Sequence, residues 1–177
     1  MGAVLAAYLA LLLLDPGHQY STLVDGWLIV AVELVASGLC LARGLLWRSG
    51  RPVALTLGAG LLAWSLGDLA LTIESLGGST PPTPSAADAF YLAFFPLAYV
   101  AVVLFVRQQL SQLSTPSWLD GAVAGFGAAA VCAAFAFDSV LRLSGGGALA
   151  VAVKLAYPIG DLLLLVLVVG STAVLTG

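Results

Sequence analysis

Residues 89–106 of the chain are AFYLAFFPLAYVAVVLFV, a run of eighteen residues without Asp, Glu, Lys or Arg. An uncharged run of this length is typical of a helix that crosses a bilayer, which needs about 20 apolar residues. The whole chain agrees: of its 177 residues, 61% are hydrophobic and 8% are charged, and the mean hydropathy is +1.09. Because a soluble domain carries about 25% charged residues, we predict an integral membrane protein.

Six apolar segments are separated by stretches rich in Gly, Pro and Ser, which are typical of loops. The segments cover residues 2–14, 22–46, 52–76, 86–111, 118–142 and 148–175. Lipid offers the backbone no hydrogen-bond partners, so each segment must be a helix or a strand of a closed barrel. The longer segments have more residues than a barrel strand, so each segment is expected to be a helix. The predicted fold is an all-α, polytopic bundle of about six transmembrane helices, forming one domain over residues 1–177. The first segment cannot cross about 30 Å of hydrocarbon, so we expect a short or truncated helix there.

The basic residues predict the orientation of the chain, since Lys and Arg are enriched in cytoplasmic loops. Arg43, Arg48 and Arg51 surround the second loop, and Arg107 lies near the fourth. The first and third loops have no Lys or Arg. We therefore expect a multi-pass protein of a bacterial plasma membrane with both chain ends on the cytoplasmic side.

Four carboxyl residues lie inside the predicted segments and away from the segment ends: Glu33, Asp68, Asp138 and Asp161. A charge at mid-helix costs about 2.5–3.5 kcal/mol on insertion, so such residues indicate function. Asp68 follows Trp64 by four residues and Asp161 follows Tyr157 by four, so each pair shares a helix face. We predict a ligand-binding pocket in the outer half of the bundle, with Lys154 as counter-charge, lined by Trp64, Asp68, Glu33, Lys154, Tyr157 and Asp161. The alternative is that these carboxyls, protonated or paired, only fix the helix register.

Two prolines are candidate hinges. Pro158 lies between Tyr157 and Asp161, and a proline inside a helix removes a backbone hydrogen bond and bends the helix. Pro96 has similar surroundings, 62 residues earlier.

Two Ser-x-x-Asp patterns are typical of helix capping. They place Ser85 with Asp88, and Ser117 with Asp120, at the starts of the fourth and fifth segments.

Other residue types exclude several functions. The chain has one histidine, and its two cysteines, Cys40 and Cys132, lie in apolar runs, so no metal site or cofactor is predicted. Six Lys and Arg residues are too few for a nucleic-acid interface. The sequence contains no nucleotide-binding or hydrolase motif, and we expect the chain alone not to be an enzyme.

Four short motifs occur in order along residues 55–170. They are Trp64-x-x-Gly67-Asp68, Pro84-Ser85-x-x-Asp88-x-x-Tyr91-Leu92-x-x-Phe95-Pro96-Leu97, Trp118-Leu119-Asp120 and Leu155-Ala156-Tyr157-Pro158-Ile159-Gly160-Asp161. Together they resemble the multi-helix N-terminal membrane region of actinobacterial-type GGDEF/EAL proteins, the diguanylate cyclases and phosphodiesterases of cyclic di-GMP signalling. The resemblance implies a sensor region that is followed by a cytoplasmic catalytic domain, which this sequence does not contain.

Three functions are compatible with these features. The first is a membrane-embedded sensor or input module that relays a signal to a cytoplasmic cyclic di-GMP output domain. The second is a small transporter or channel subunit in which the intramembrane carboxyls line a path, and the third is a structural assembly subunit. The expected partners are the lipid bilayer, a cytoplasmic output domain or protein, and a second copy of the chain.

Overall fold

The computed structural model of the chain describes residues 26–77, 84–109, 123, 125–127, 130 and 147–176. The main elements are four helices, α1 (Ile29–Leu46), α2 (Arg51–Glu74), α3 (Ala86–Gln109) and α4 (Ala148–Thr176), and a 3₁₀ turn (Ser75–Gly77) that follows α2. These described ranges contain no strand. The predicted all-α class is therefore confirmed for this part of the chain.

Four helical stretches are long and apolar enough to cross a membrane: Gly26–Leu46, Arg51–Glu74, Ala86–Gln109 and Ala148–Thr172. They correspond to the predicted segments 22–46, 52–76, 86–111 and 148–175, with small differences at the ends. The largest difference within the described ranges is in the third segment, whose α-helix ends at Glu74 and continues as the 3₁₀ turn. Segment 2–14 lies outside the described residues, and segment 118–142 is described at only a few positions. The structure thus supports four spans, and six spans remain a prediction.

A tight turn joins α1 to α2. Gly50 has a φ of 69°, a left-handed conformation that side chains with a Cβ rarely adopt. Pro52 follows in the first turn of α2, where a backbone N–H would have no partner within the helix, so its absence in proline costs nothing. Both residues favour a short connection between two antiparallel helices.

The interior of the bundle is built from small residues, as the buried positions of α2 show. These positions are Gly58, Gly60, Ser65, Gly67 and Thr72. Large apolar side chains of the same helix, among them Leu57, Leu71 and Ile73, are exposed. This is the distribution expected in lipid, where apolar side chains gain little by leaving the solvent and helices associate through close backbone approach.

Glycines set the distance between α1 and α2 at two reciprocal contacts. A Cβ on Gly44 of α1 would lie 2.7 Å from Cγ of Leu55, and a Cβ on Gly58 of α2 would lie 2.9 Å from Cγ of Leu41. The leucine of each helix thus fills the space left by a glycine of the other. Farther along the chain, α3 packs extensively on α2, and α4 packs on α3 over a smaller region.

We expect Gly58→Ala to destabilise the bundle, because the added methyl overlaps the Leu41 side chain and lies 3.0 Å from its backbone nitrogen. Overpacking of this kind costs about 1–3 kcal/mol. Unfolding by SDS in mixed micelles measures the change. Gly38→Ala is the matched control, since nothing lies within 4 Å of the added Cβ. Equal stability of the two variants would contradict the proposed close approach.

Candidate functional site

Tyr91 of α3 joins α3 to α2 inside the predicted span. Its phenol O–H donates a hydrogen bond to Oδ1 of Asp68. Its ring packs against Trp64, with 5.0 Å between ring centroids, and over Gly67, where a Cβ would lie 2.6 Å from Cε1 of the tyrosine ring. Gly67 therefore allows the ring to approach α2 closely enough for the phenol to reach the carboxyl of the next residue.

Asp88 uses its two carboxyl oxygens for different purposes. Oδ2 accepts a hydrogen bond of 2.8 Å from the backbone N–H of Ser85, which holds the start of α3. Oδ1 accepts a hydrogen bond of 2.5 Å from the phenol of Tyr157 on α4. The Ser85 hydroxyl accepts a hydrogen bond of 3.2 Å from the backbone N–H of Ala87. In a standard capping box the donor is the next residue along the chain, which is Asp88 here. The predicted cap residue thus also forms a contact between helices.

A second hydrogen bond joins α3 to α4. The phenol of Tyr99 donates to the backbone oxygen of Gly160 over 2.8 Å. Close approach is again possible because of a glycine, since a Cβ on Gly160 would lie 2.7 Å from Cε1 of Phe95. The helices α3 and α4 are thus connected by two tyrosine hydrogen bonds at different heights.

Both candidate hinges lie between these two connections. Pro96 separates Asp88 from Tyr99 along α3, and Pro158 separates Tyr157 from Gly160 along α4. Each helix is continuous through its proline. Each proline nevertheless leaves the carbonyl four residues back without its helical N–H donor, which lowers the resistance of that turn to bending.

Glu33 of α1 adds a second carboxyl next to Asp68, near enough for the two side chains to interact. Oε2 of Glu33 is buried and has no hydrogen-bond partner among the described residues. We call the five residues Glu33, Asp68, Asp88, Tyr91 and Tyr157 the phenol–carboxyl cluster.

The structure brings together only part of the predicted pocket. Trp64, Asp68 and Glu33 surround Tyr91, and Tyr157 is 6.4 Å from Tyr91 between ring centroids. Asp68 and Tyr157 are therefore in one cluster, but they are connected through Tyr91 and Asp88 of α3, which the predicted pocket did not include.

Asp161 and Lys154 are placed differently from the other predicted pocket residues. Asp161 is exposed in the described part of the structure. The physical reason is that Gly160 faces α3, and the next residue of a helix lies roughly 100° further round. Lys154 is half-buried one turn before Tyr157. At the contact between α3 and α4 the acid is Asp88, which the sequence analysis treated only as a helix cap.

Two further predictions concern positions with no structural description. Ser117 and Asp120, the second predicted cap, lie outside the described residues, as does Asp138. Within the described ranges, no group of three His, Cys, Asp or Glu side chains is placed to hold a metal ion.

Sequence analysis did not select Tyr91, Tyr99, Gly67 or Gly160 as site residues. A signal for the two tyrosines was present, because Asp88, Tyr91, Phe95 and Tyr99 follow one another at spacings of three, four and four. Such spacings place side chains on one face of a helix. A stripe that alternates polar and aromatic groups in an otherwise apolar helix indicates the face that contacts other helices.

We expect Tyr157→Phe and Asp88→Ala to show coupled effects on stability, because each variant removes one partner of the same hydrogen bond. Cross-helix hydrogen bonds in membrane proteins contribute about 0.6 kcal/mol on average and up to about 1.7 kcal/mol. A double-mutant cycle of SDS unfolding measures the coupling and cancels the separate loss of the cap at Ser85. Asp88→Ala paired with Tyr99→Phe is the control cycle, and equal coupling in both cycles would argue against the contact.

The motif residues that suggested a family resemblance meet in this site. Three of the four motifs contribute a glycine or an acid, together with an aromatic residue, to the contacts of α3. The fourth motif, Trp118-Leu119-Asp120, lies outside the described residues. These contacts give a physical role to the spacing of the three motifs. Comparison with protein-family models, curated proteins and solved structures found no match to this chain.

Proposed function

We propose that the chain is a membrane-embedded sensor or input module, in which movement of α4 against α1–α3 relays a signal to a cytoplasmic output. The observation that supports this proposal is the uneven attachment of the helices. Within the described residues, α2 contacts both α1 and α3 extensively, whereas α4 contacts α3 over a smaller region, at Gly160 and through two tyrosine hydrogen bonds. On another side, the backbone of α4 at Val166 closely approaches Gly125.

The energy of these connections suits a reversible movement. Two cross-helix hydrogen bonds contribute together about 1–3 kcal/mol. An equilibrium between two helix arrangements shifts tenfold for each 1.4 kcal/mol, so a ligand or a change in the membrane can reverse a balance of this size. Pro96 and Pro158 favour movement near these connections, because each proline weakens the helical turn that precedes it.

The finer parts of the proposal come from the sequence. The resemblance to GGDEF/EAL proteins suggests that the output belongs to cyclic di-GMP signalling and that the protein resides in a bacterial plasma membrane. The apolar segments 2–14 and 118–142 would bring the number of helices to six. A second copy of the chain is a further proposed partner, since a dimeric membrane region would place two cytoplasmic output domains side by side.

The arrangement of charges supports one orientation. Arg43, Arg48 and Arg51 lie at the turn between α1 and α2, and Arg107 lies in the last turn of α3. These residues are at the same end of the bundle, since a Cβ on Gly50 would lie 3.9 Å from the Gln108 side chain. The phenol–carboxyl cluster lies toward the other end. If basic residues face the cytoplasm, the cluster is in the outer half of the membrane.

Cysteine labelling tests this orientation. In a background with Cys40→Ala and Cys132→Ala, we expect Pro84→Cys to react with a membrane-impermeant maleimide in intact spheroplasts. Ser49→Cys should react only after the membrane is permeabilised. Both positions are exposed, which makes the comparison independent of burial. The opposite pattern would show that the arginine end faces outward.

A chimera tests the relay itself. A diguanylate cyclase domain fused after Gly177 converts helix movement into a change in cellular cyclic di-GMP. We expect Tyr157→Phe and Tyr99→Phe each to change the output severalfold, since loss of one such bond shifts a two-state equilibrium by roughly 3- to 20-fold.

The control for the chimera is Ser171→Ala. The Ser171 hydroxyl donates only within its own helix, to the backbone oxygen of Leu167 at 2.5 Å. This variant should leave the output unchanged. Unchanged output in the two tyrosine variants, at equal membrane levels, would contradict the sensor proposal. If reconstituted vesicles instead showed proton or ion flux that Asp68→Asn abolished, the carboxyl pair would be part of a transport path.

A further inference from the structure

A cavity of about 440 Å³ opens between α1, α2 and α3 at the arginine end of the bundle. Its wall is mostly apolar, with Leu39, Leu57 and Phe105 among the lining residues, and its polar lining includes Arg43, Ser49 and Gln108. We call it the arginine-end cavity. Its volume is within the range of small-molecule sites in proteins, roughly 300–1,000 Å³.

Polarity changes along the cavity in the direction of the membrane normal. Ser49 lies in the turn beyond the end of the α1 span, and Arg43 lies in the last turn of α1. By contrast, Leu39 lies ~10 Å before Leu46 along α1, and Leu57 lies ~9 Å from Arg51 along α2, at a rise of 1.5 Å per residue. The polar groups are thus at the interface and the apolar groups are deeper, which is the order of headgroup and acyl chain in one leaflet.

Among the described residues, the charges around the cavity have one sign. Arg48, Arg51 and Arg107 lie at the same end as Arg43, and no described carboxylate lines the cavity. The nearest described acid along α1 is Glu33, ten residues before Arg43 and thus ~15 Å away along the helix. The guanidinium carbon of Arg43 lies 5.4 Å from the centroid of the Trp47 ring, a stacking that holds the charge at the interface.

We propose that the arginine-end cavity binds an anionic phospholipid of the adjacent leaflet. The phosphate would contact Arg43, Ser49 and Gln108, and an acyl chain would lie along Leu39, Leu57 and Phe105. The positive charge of the described residues at this end argues for an anionic headgroup over a zwitterionic one. The mostly apolar wall argues for a lipid over a soluble anion, since a free phosphate would leave that wall without a partner. This site is independent of the proposed sensor role.

Native mass spectrometry of the purified full chain tests the site with two lipids of identical acyl chains, phosphatidylglycerol and phosphatidylcholine. The wild-type protein should retain phosphatidylglycerol in preference. Arg43→Gln should reduce that preference by about fivefold, the effect expected for one basic residue at an anionic headgroup. Arg43→Lys, which keeps the charge, should retain most of the preference, and it shows that any loss is not a folding defect.

Two controls make the result specific to the cavity. Arg48→Gln changes an exposed arginine that does not line the cavity, and this variant should lose clearly less of the preference than Arg43→Gln. Ala54→Phe fills the cavity with a ring and should reduce the binding of both lipids. Equal loss in Arg48→Gln and Arg43→Gln would overturn the proposal in favour of general surface attraction. Displacement of phosphatidylglycerol by inorganic phosphate at constant ionic strength would overturn it in favour of a soluble anion.

Discussion

Close approach between helix backbones is the constraint on which this bundle depends. In a bilayer, apolar side chains have no reason to leave the solvent, so helices are held by short-range packing and by hydrogen bonds. Gly44 and Gly58 bring α1 and α2 together, and Gly67 and Gly160 bring the aromatic rings of α3 against α2 and α4. In the last two cases the glycine precedes an acid, and at Gly67 that acid, Asp68, accepts a hydrogen bond from the ring for which the glycine gives space.

Helix α3 is the centre of the described structure because its side chains contact helices on both sides. Tyr91 donates to α2, Tyr99 donates to α4, and Asp88 accepts from α4. The aromatic ring of Phe95 fills the space between these hydrogen bonds and Gly160. A rotation of α3 about its own axis would break contacts with both neighbours at once. In the proposed sensor, α3 is therefore the fixed reference against which α4 would move.

The sequence predicted the helices better than their contacts. Helices α1 to α4 could be located because each is a long apolar run bounded by Gly, Pro or Ser, and lipid leaves such runs little alternative to a helix. The shared face of Trp64 and Asp68 also follows from their spacing. Their shared contact with Tyr91 does not follow from the spacing, because that contact depends on how two helices are rotated relative to each other. Asp161 was placed in the pocket on spacing alone, but its rotation is determined by Gly160, which the tertiary contact with Phe95 turns toward α3.

The divided use of the Asp88 carboxyl has a consequence for the order of assembly. During synthesis the first three described helices are made before Tyr157, which lies 69 residues after Asp88 along the chain. One oxygen of Asp88 is satisfied at once by the Ser85 amide, so the start of α3 forms from local sequence. The other oxygen is left for a helix that arrives later. We therefore expect α4 to dock after the other three described helices, against an α3 whose start its own sequence has already formed.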